Sequence, residues 1–353
     1  MTPDPVLSLV RPDILELAPY SSARKESAGG QVWLDANENP VTPHAGVPRL
    51  NRYPDPQPPE LVTRLASLYG VTPDRALITR GSDEGIDLLL RAFCRAGQDS
   101  ILITPPTYGM YAVAAGIQGA GIVKVPLLRE EDFALDAHAV VAAASPVVKL
   151  VFLCSPNNPT GQLLDRDAVL HVISSLAGRA MVVVDEAYAE FTPEPSLVEA
   201  LRDNPHLVIL RTLSKAFGLA GARVGTLLGS PALIEVLKKI IAPYPIPTPV
   251  TRAALEALVG HGIAAARLSA LKLSTDRRRL EEELKQLPCV RRVWPSDANF
   301  LLVEVHRVPR VMAAACAVGL VLRDRSKDVP NSVRITVGTA ADNQLVIDTL
   351  SRV

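Results

Sequence analysis

Several common classes of protein are excluded by what this sequence lacks. Its four cysteines (Cys94, Cys154, Cys289, Cys316) are far apart and form no CxxC pair. Their neighbours are mostly apolar, which predicts buried reduced thiols rather than a disulfide framework or a thiolate metal site. Charge of either sign is not in excess: 37 basic residues against 37 acidic ones leave a formal net charge of +0. With the arginines dispersed as well, nothing points to nucleic acid or an anionic membrane as partner. No stretch of 18 apolar residues is free of charge or proline. The most apolar region, Ala137 to Cys154, is broken by Pro146 and Lys149, so it does not read as a membrane span. The start, Met1-Thr2-Pro3-Asp4-Pro5, lacks the basic head of a signal peptide, and a cytoplasmic protein is expected. HExxH, GxxxxGK[ST] and G-x-S-x-G are absent. Gly260-His261-Gly262 follows no strand, which opposes a dehydrogenase. The histidines (44, 138, 171, 206, 261, 306) form no cluster, and a structural or surface role is expected for them. Arg277-Arg278-Arg279 followed by Glu281-Glu282-Glu283 reads as a solvated helix face.

What is present is an alternation of short apolar runs with helical segments. The length of 353 residues and a hydrophobic share of 48% allow one large core or two domains. Strands are predicted at Val32 to Leu34, Ala76 to Thr79, Ser100 to Thr104, Ile122 to Val125, Lys149 to Cys154, Met181 to Val184, Leu207 to Leu210 and Val224 to Leu228. Helices are predicted at Leu61 to Tyr69, Ser82 to Cys94, Tyr108 to Gly119, Arg166 to Leu176 and from Ile234 to Ile241. Nearly continuous apolar strands alternating with helices argue for a mostly parallel sheet covered on both faces. From Asn37 to Pro59 dense proline predicts an ordered loop. A long helix is expected over Ala253 to Leu287, stopped by Pro288. The tail changes character, with strand-like Val293-Trp294, Phe300 to Val305, Leu320 to Leu322 and Val333 to Val337, and helices at Val311 to Val318 and Asn343 to Arg352. The expected organisation is an N-terminal arm (1–30), a large α/β domain (31–259) and a smaller α+β domain (260–353).

The chemistry centres on Thr212-Leu213-Ser214-Lys215-Ala216-Phe217-Gly218-Leu219-Ala220-Gly221-Ala222-Arg223. Lys215 follows a buried strand, among small and hydroxyl residues, with an arginine eight positions on. A lysine in a partly dry pocket can lose its proton near neutral pH and attack a carbonyl as an amine. Ser214 and Arg223 suit an anionic group beside it. Together they suggest a Schiff-base lysine and a phosphate-bearing aldehyde, pyridoxal phosphate. Asp185 ends a buried strand, where α/β sheets bind ligands, and can pair with a protonated ring nitrogen. A helix cap would read the same way. Tyr188 can donate to a ring oxygen. Asn158, in Asn157-Asn158-Pro159-Thr160-Gly161, can present an amide or simply shape a turn. Ser82, Asp83 and Glu84 open a helix, a ready phosphate site if their main chain makes the contact and their acidic side chains turn away. Tyr108 could stack on a flat ring or fill the core. Arg334, a charge inside an apolar strand, needs an anion, and Arg323 is a weaker case of the same kind.

Asp185-x-x-Tyr188, Ser214-Lys215-x-x-Gly218, Arg223 and Asn158-Pro159-Thr160-Gly161 resemble the fold-type I pyridoxal-phosphate aminotransferases. Further segments are similar to the histidinol-phosphate aminotransferase branch. These are Ala18-Pro19-Tyr20, Asn37-Glu38-Asn39-Pro40, Arg52-Tyr53-Pro54-Asp55, Gly81-Ser82-Asp83-Glu84-Gly85, Pro106-Thr107-Tyr108-Gly109-Met110-Tyr111 and Arg334-Ile335-Thr336-Val337-Gly338. The resemblance covers essentially the whole chain, with no departure at a catalytic position. It implies Lys215 as the Schiff-base lysine, Asp185 on the pyridine nitrogen, and Asn158 and Tyr188 on the ring oxygen. It puts Tyr108 on the ring face, and the phosphate on the main chain of Ser82, Asp83 and Glu84 with Ser214 and Arg223. Tyr53 would reach across a homodimer with shared sites, and Tyr20, Asn37, Arg323 and Arg334 would form the substrate side. The implied reaction moves an amino group from L-histidinol phosphate to 2-oxoglutarate, giving imidazole acetol phosphate and glutamate. Rival readings are an aromatic amino acid aminotransferase, a phosphothreonine decarboxylase and, more distantly, a non-catalytic regulator that binds the cofactor.

Overall fold

The chain's structure, a computed structural model, describes residues 4–20, 34–43 and 50–353. Seven of the apolar runs become the strands of one sheet: β1 (Ala76–Thr79), β2 (Ser100–Ile103), β3 (Gly121–Lys124), β4 (Val148–Cys154), β5 (Met181–Asp185), β6 (Leu207–Thr212) and β7 (Gly225–Leu228). Their order is β1-β7-β6-β5-β4-β2-β3. The pairs from β3 through β6 are parallel, while β7 runs antiparallel to both its neighbours. Side chains along a strand alternate between faces, and here they enter two separate cores. Val182 and Val184 of β5 join one apolar cluster, Met181 and Val183 the other. Neither face of the central strands meets water, which is why β4 and β5 are nearly all apolar, while the edge strand β3 is largely exposed.

The described helices are α1 (Pro12–Leu15), α2 (Pro59–Tyr69), α3 (Gly81–Phe93), α4 (Met110–Gln118), α5 (Ala137–Ala143), α6 (Arg166–Ser175), α7 (Pro231–Ile240), α8 (Thr248–Ala257), α9 (Gly260–Lys285), α10 (Val308–Ala317) and α11 (Ala340–Leu350). Residues of α3, α4 and α7 fill one face of the large sheet, and those of α2, α5 and α6 fill the other. A second, antiparallel sheet follows, in the order β10-β11-β9-β8: β8 (Val290–Val293), β9 (Phe300–Val305), β10 (Arg323–Asp324) and β11 (Ser332–Thr336). It has its own core, in which Leu280 and Leu284 of α9, Val311 of α10 and Val346 of α11 pack on Leu301, Val303 and Val333. The mostly parallel sheet with a smaller α+β unit after it is the expected class.

Several local expectations are corrected. The single helix over Ala253 to Leu287 is two, α8 and α9, bent by 73°. The break falls beside two glycines. A Cβ on Gly262 would sit 2.5 Å from the carbonyl oxygen of Ala257, so the sharp bend depends on a residue without one. Leu320 to Leu322 form no strand. Val321 is 93% exposed, and pairing begins only at Arg323, opposite Arg334. The apolar stretch after Ala137 holds an unforeseen helix, α5, capped by Asp136, which accepts from the Ala139 N–H at 2.9 Å. Arg277 is no surface residue: it is buried, and its guanidinium donates to the Ala298 carbonyl at 2.6 Å. Cys316 is exposed, while Cys94, Cys154 and Cys289 are buried. His138 and His171 do meet, with ring centroids 4.8 Å apart. The strand proposed at Val32 to Leu34 lies largely outside the described residues, as does His44. Among the described residues no single helix is long and apolar enough to cross a membrane.

Candidate active site

Strands β4, β5 and β6 are parallel neighbours, so their carboxyl ends lie side by side, Cys154 beside Asp185 and Asp185 beside Leu210. The loops that leave these ends carry Asn158, Tyr188 and Lys215, and they floor a cavity of about 560 Å³. This is where an open α/β sheet offers a binding crevice. Asp185 is 2% exposed. Tyr111 donates its hydroxyl to Oδ2 at 2.8 Å, and the Ala187 N–H reaches Oδ1 at 3.2 Å. Burial still dominates and pushes this carboxyl up to about 6, against the Tyr111 hydrogen bond. No cation forms an ion pair with it among the described residues.

Lys215 faces the same space. Its Nζ lies 5.6 Å from the centroid of the Tyr188 ring. Burial lowers its pKa, and the Arg334 and Arg223 cations lower it further. Tyr188 is buried, packs edge-on against Phe300 at 5.2 Å and accepts from Asn158 Nδ2 at 3.3 Å. The other end of that amide, Asn158 Oδ1, accepts from Arg334 Nη1 at 2.5 Å. Asn158 thus joins the large sheet to the small one. Tyr108 lines the wall and donates its hydroxyl to Asp83 Oδ1 at 2.9 Å.

The far end is built around the start of α3. The first N–H groups of a helix have no intrahelical acceptor, and here Ser82 and Asp83 of that first turn line the cavity. Gly81, with φ +73°, allows the chain to turn there. A Cβ on it would lie 2.6 Å from Arg223 Nη2, and one on Gly225 would lie 2.6 Å from the Ser82 nitrogen. Arg223 donates to Ser214 Oγ at 3.2 Å and pairs with Asp83 Oδ2 at 3.2 Å. Glu84 turns away as expected, back to Arg80 at 2.6 Å, but Asp83 does not: it lines the cavity, held by Tyr108 and Arg223, and a phosphate would have to displace it from Arg223. Glu84 does not line the cavity, and its own N–H lies beyond the helix's free first turn.

The rim belongs to the small sheet, where Arg323, Arg325 and Arg334 line the opening. Three predicted residues stand elsewhere in the chain. Tyr53 stacks on Tyr244 at 4.6 Å and shares an open groove with Asn37, whose φ is +55°. Tyr20 is 66% exposed beside α7. Sequence reasoning passed over Tyr111, Thr212 and Arg325. A buried tyrosine hydroxyl needs a partner, and an arginine two residues after another in an extended segment points to the same side. Those were the available signals.

The pyridoxal phosphate expected from the sequence fits this donor set. Asp185 is a buried carboxylate without a cation, as a protonated ring nitrogen would require. Asn158 and Tyr188 offer polar atoms for a ring oxygen. The helix start, Ser214 and Arg223 form an anion cradle closed by two glycines.

Comparison with known proteins agrees. The sequence model of the family "Aminotransferase class I and II" matches residues 29–350. A relative from Pasteurella multocida, named histidinol-phosphate aminotransferase 1, is 44% identical over 352 residues, 99% of each chain. One from Xanthomonas euvesicatoria, named histidinol-phosphate aminotransferase, is 46% identical over 361 aligned positions, covering 100% of this chain and 98% of its own. Among solved structures, the histidinol-phosphate aminotransferase from Sinorhizobium meliloti in complex with pyridoxal 5'-phosphate superposes with a TM-score of 0.78. It shares 25% identity, and 85% of this chain and 82% of that one are covered.

Proposed function

Because the chain belongs to the class I and II aminotransferases, we propose that it moves the amino group of L-histidinol phosphate to 2-oxoglutarate, giving imidazole acetol phosphate and glutamate, a step of histidine biosynthesis. It is a pyridoxal-phosphate-dependent enzyme of that family. The observation that carries the substrate, beside the relatives' named activity, is the cationic rim: Arg323 and Arg334 are register partners at the cavity mouth. Arg323 has neither an ion pair nor a hydrogen bond from its side chain among the described residues.

Pyridoxal phosphate, when bound, supplies the aldehyde that accepts the amino group and a ring able to take up the electron pair of a broken C–H bond. The chain's own residues do the rest. Asp185 would hold the positive charge of the ring nitrogen, Asn158 and Tyr188 would hold the ring oxygen, and Tyr108 would supply an aromatic face to the ring. Ser82 and Asp83, through their N–H groups, hold the phosphate with Ser214 and Arg223. The lowered pKa of Lys215 leaves more of its amine unprotonated near neutral pH. Its Nζ would then accept the proton from the donor carbon and return it to the aldehyde carbon of the cofactor, two atoms along. Arg334 serves twice, meeting the phosphate of the first substrate and a carboxylate of 2-oxoglutarate in the second half-reaction, with Arg323 adding charge for the phosphate.

The proposal includes a cytoplasmic homodimer in which Tyr53 completes the partner's site, with Tyr20 and Asn37 on the substrate side. It also includes the division into an arm (1–30), a large domain (31–259) and a small domain (260–353). The deciding experiment offers purified holoenzyme L-histidinol phosphate, L-histidinol and L-phenylalanine as amino donors, with 2-oxoglutarate as acceptor. The phosphorylated donor should exceed both others in kcat/KM by at least about tenfold, the value of a charged hydrogen bond. A preference for phenylalanine would replace the proposal with the aromatic aminotransferase reading.

A further inference from the structure

The cavity mouth carries more positive charge than the two arginines foreseen from the sequence. Arg325 lies just after β10, where its N–H donates to the Ser332 carbonyl at 2.9 Å, next to β11, which carries Arg334. Its side chain is 16% exposed and lines the same cavity as Arg323 and Arg334. Burial lowers the pKa of Arg334, and the Arg325 and Arg323 cations lower it further.

Little on the protein answers this charge. Asp185 is deep on the floor, and Asp83 is engaged by Arg223 and Tyr108. Among the described residues the side chain of Arg334 has only the neutral amide of Asn158 as hydrogen-bond partner. Among the described residues the one acid paired with Arg325 is Asp328, whose Oδ2 lies 3.1 Å from Nε. The angle does not make that contact a hydrogen bond. Asp328 is 40% exposed, so water screens it. The terminal amino groups of Arg325 have no hydrogen-bond acceptor among the described residues. A planar fork of N–H donors held beside two others suits the tetrahedral oxygens of a phosphate. A single carboxylate, with two oxygens and one charge, cannot engage all three.

We propose that Arg325 is a specificity-determining residue: with Arg323 and Arg334 it forms a three-guanidinium receptor for a doubly charged phosphate monoester, and Asp328 is the counter-ion it gives up when that phosphate binds. This inference rests on the reading of the same cavity as a site for a phosphorylated amino donor, and it adds the residue that tells phosphate from carboxylate.

The test is calorimetric titration of holoenzyme, whose cofactor cradle is already filled, with inorganic phosphate and with succinate as inert probes. Arg325→Gln should weaken phosphate about tenfold and succinate no more than about threefold. Arg325→Lys, which keeps the charge but not the fork, should recover part of the loss. Wild-type affinity for inorganic phosphate should climb as its second charge forms, and the climb should flatten in Arg325→Gln. Asp328→Asn should tighten phosphate by about twofold or more, which keeps the idea testable if the arginine variant folds poorly. Equal losses for both probes, or phosphate affinity within about twofold of wild type in Arg325→Gln, would overturn it, as would looser phosphate binding in Asp328→Asn. No amino donor enters the titration, so a different preferred donor would unseat the proposed reaction without touching this result, and a failed titration leaves the donor assay standing.

Discussion

The floor of the cavity and its rim are built on opposite principles. The floor hangs on the ends of β4, β5 and β6, and its polar groups are cross-linked, Tyr111 to Asp185 and Asn158 to Tyr188 in buried pairs, Arg223 to Ser214 nearer the surface. The rim hangs on a two-residue strand and its neighbour, and its cations face open space. A rigid floor can hold a reacting group in register before any substrate arrives. A rim of unmatched charge waits for an anion to complete it. The two meet at Arg334, which donates to Asn158 at 2.5 Å and whose cation also lowers the pKa of Lys215 after burial does. Reaction type and substrate choice are therefore separable in this molecule, except through Arg334.

Three changes would break or sharpen the contrast, beginning with the most damaging. Lys215→Ala strikes the floor and should cut turnover by about four orders of magnitude. Steady-state rates check this, and borohydride reduction of the wild type followed by peptide mapping should mark Lys215; a mark on another lysine would end the assignment. Arg323→Ala strikes the rim alone. It should raise KM for histidinol phosphate by roughly ten- to a hundredfold while leaving kcat nearly unchanged, a pattern of lost binding rather than lost chemistry. A fall in kcat as large as the rise in KM would show that floor and rim are not separable.

The smallest effect is on stability and belongs to the floor without its cofactor. Asp185 titrates at about 6 in the fold against 3.8 in its absence. Its neutral form is the one the fold prefers. The stability it contributes is complete below 3.8 and lost as the pH rises through about 6. At roughly 1.4 kcal/mol per unit, the loss comes to about 3 kcal/mol. Cofactor-free Asp185→Asn should therefore melt above cofactor-free wild type at pH 8, by a few degrees, and the gap should narrow at pH 5. Thermal melts at both values decide it; a variant that melts lower at pH 8 would mean the carboxylate is stabilised by something other than a missing cation.

The parts of this molecule that could be read in the sequence are those whose physics is local. Val182-Val183-Val184-Asp185 announces a buried strand ending in a charge, and Leu207 to Leu210 announces the strand before Lys215, because both faces of that sheet are dry. What could not be read depends on distant partners. The break between α8 and α9 turns on a contact between Gly262 and Ala257 that helical periodicity does not encode. Arg277 sits in a charged run and looks solvated, yet the Ala298 carbonyl of another segment draws it inside. Tyr111 looked like one more aromatic in its motif until the fold set it under Asp185. Tyr20, Asn37 and Tyr53 were chosen by resemblance, and in a single chain they lie outside the cavity.

Gly225 presses on Gly81 and Ser82, and this has a consequence for the order of assembly. Strand β1 is the first of the large sheet along the chain and β7 the last, and they are paired, Thr79 against Gly225. The anion cradle thus lies at the seam where the two ends of the sheet's sequence close on each other. Such closure joins residues very far apart along the chain, the slowest kind of contact to form. A nascent chain that stops short of Gly225 already contains the start of α3, Ser214 and Arg223, but lacks the strand that closes them around a phosphate. Binding of the cofactor is then a report that the sheet has been completed. By mass action it also draws the population toward the closed form.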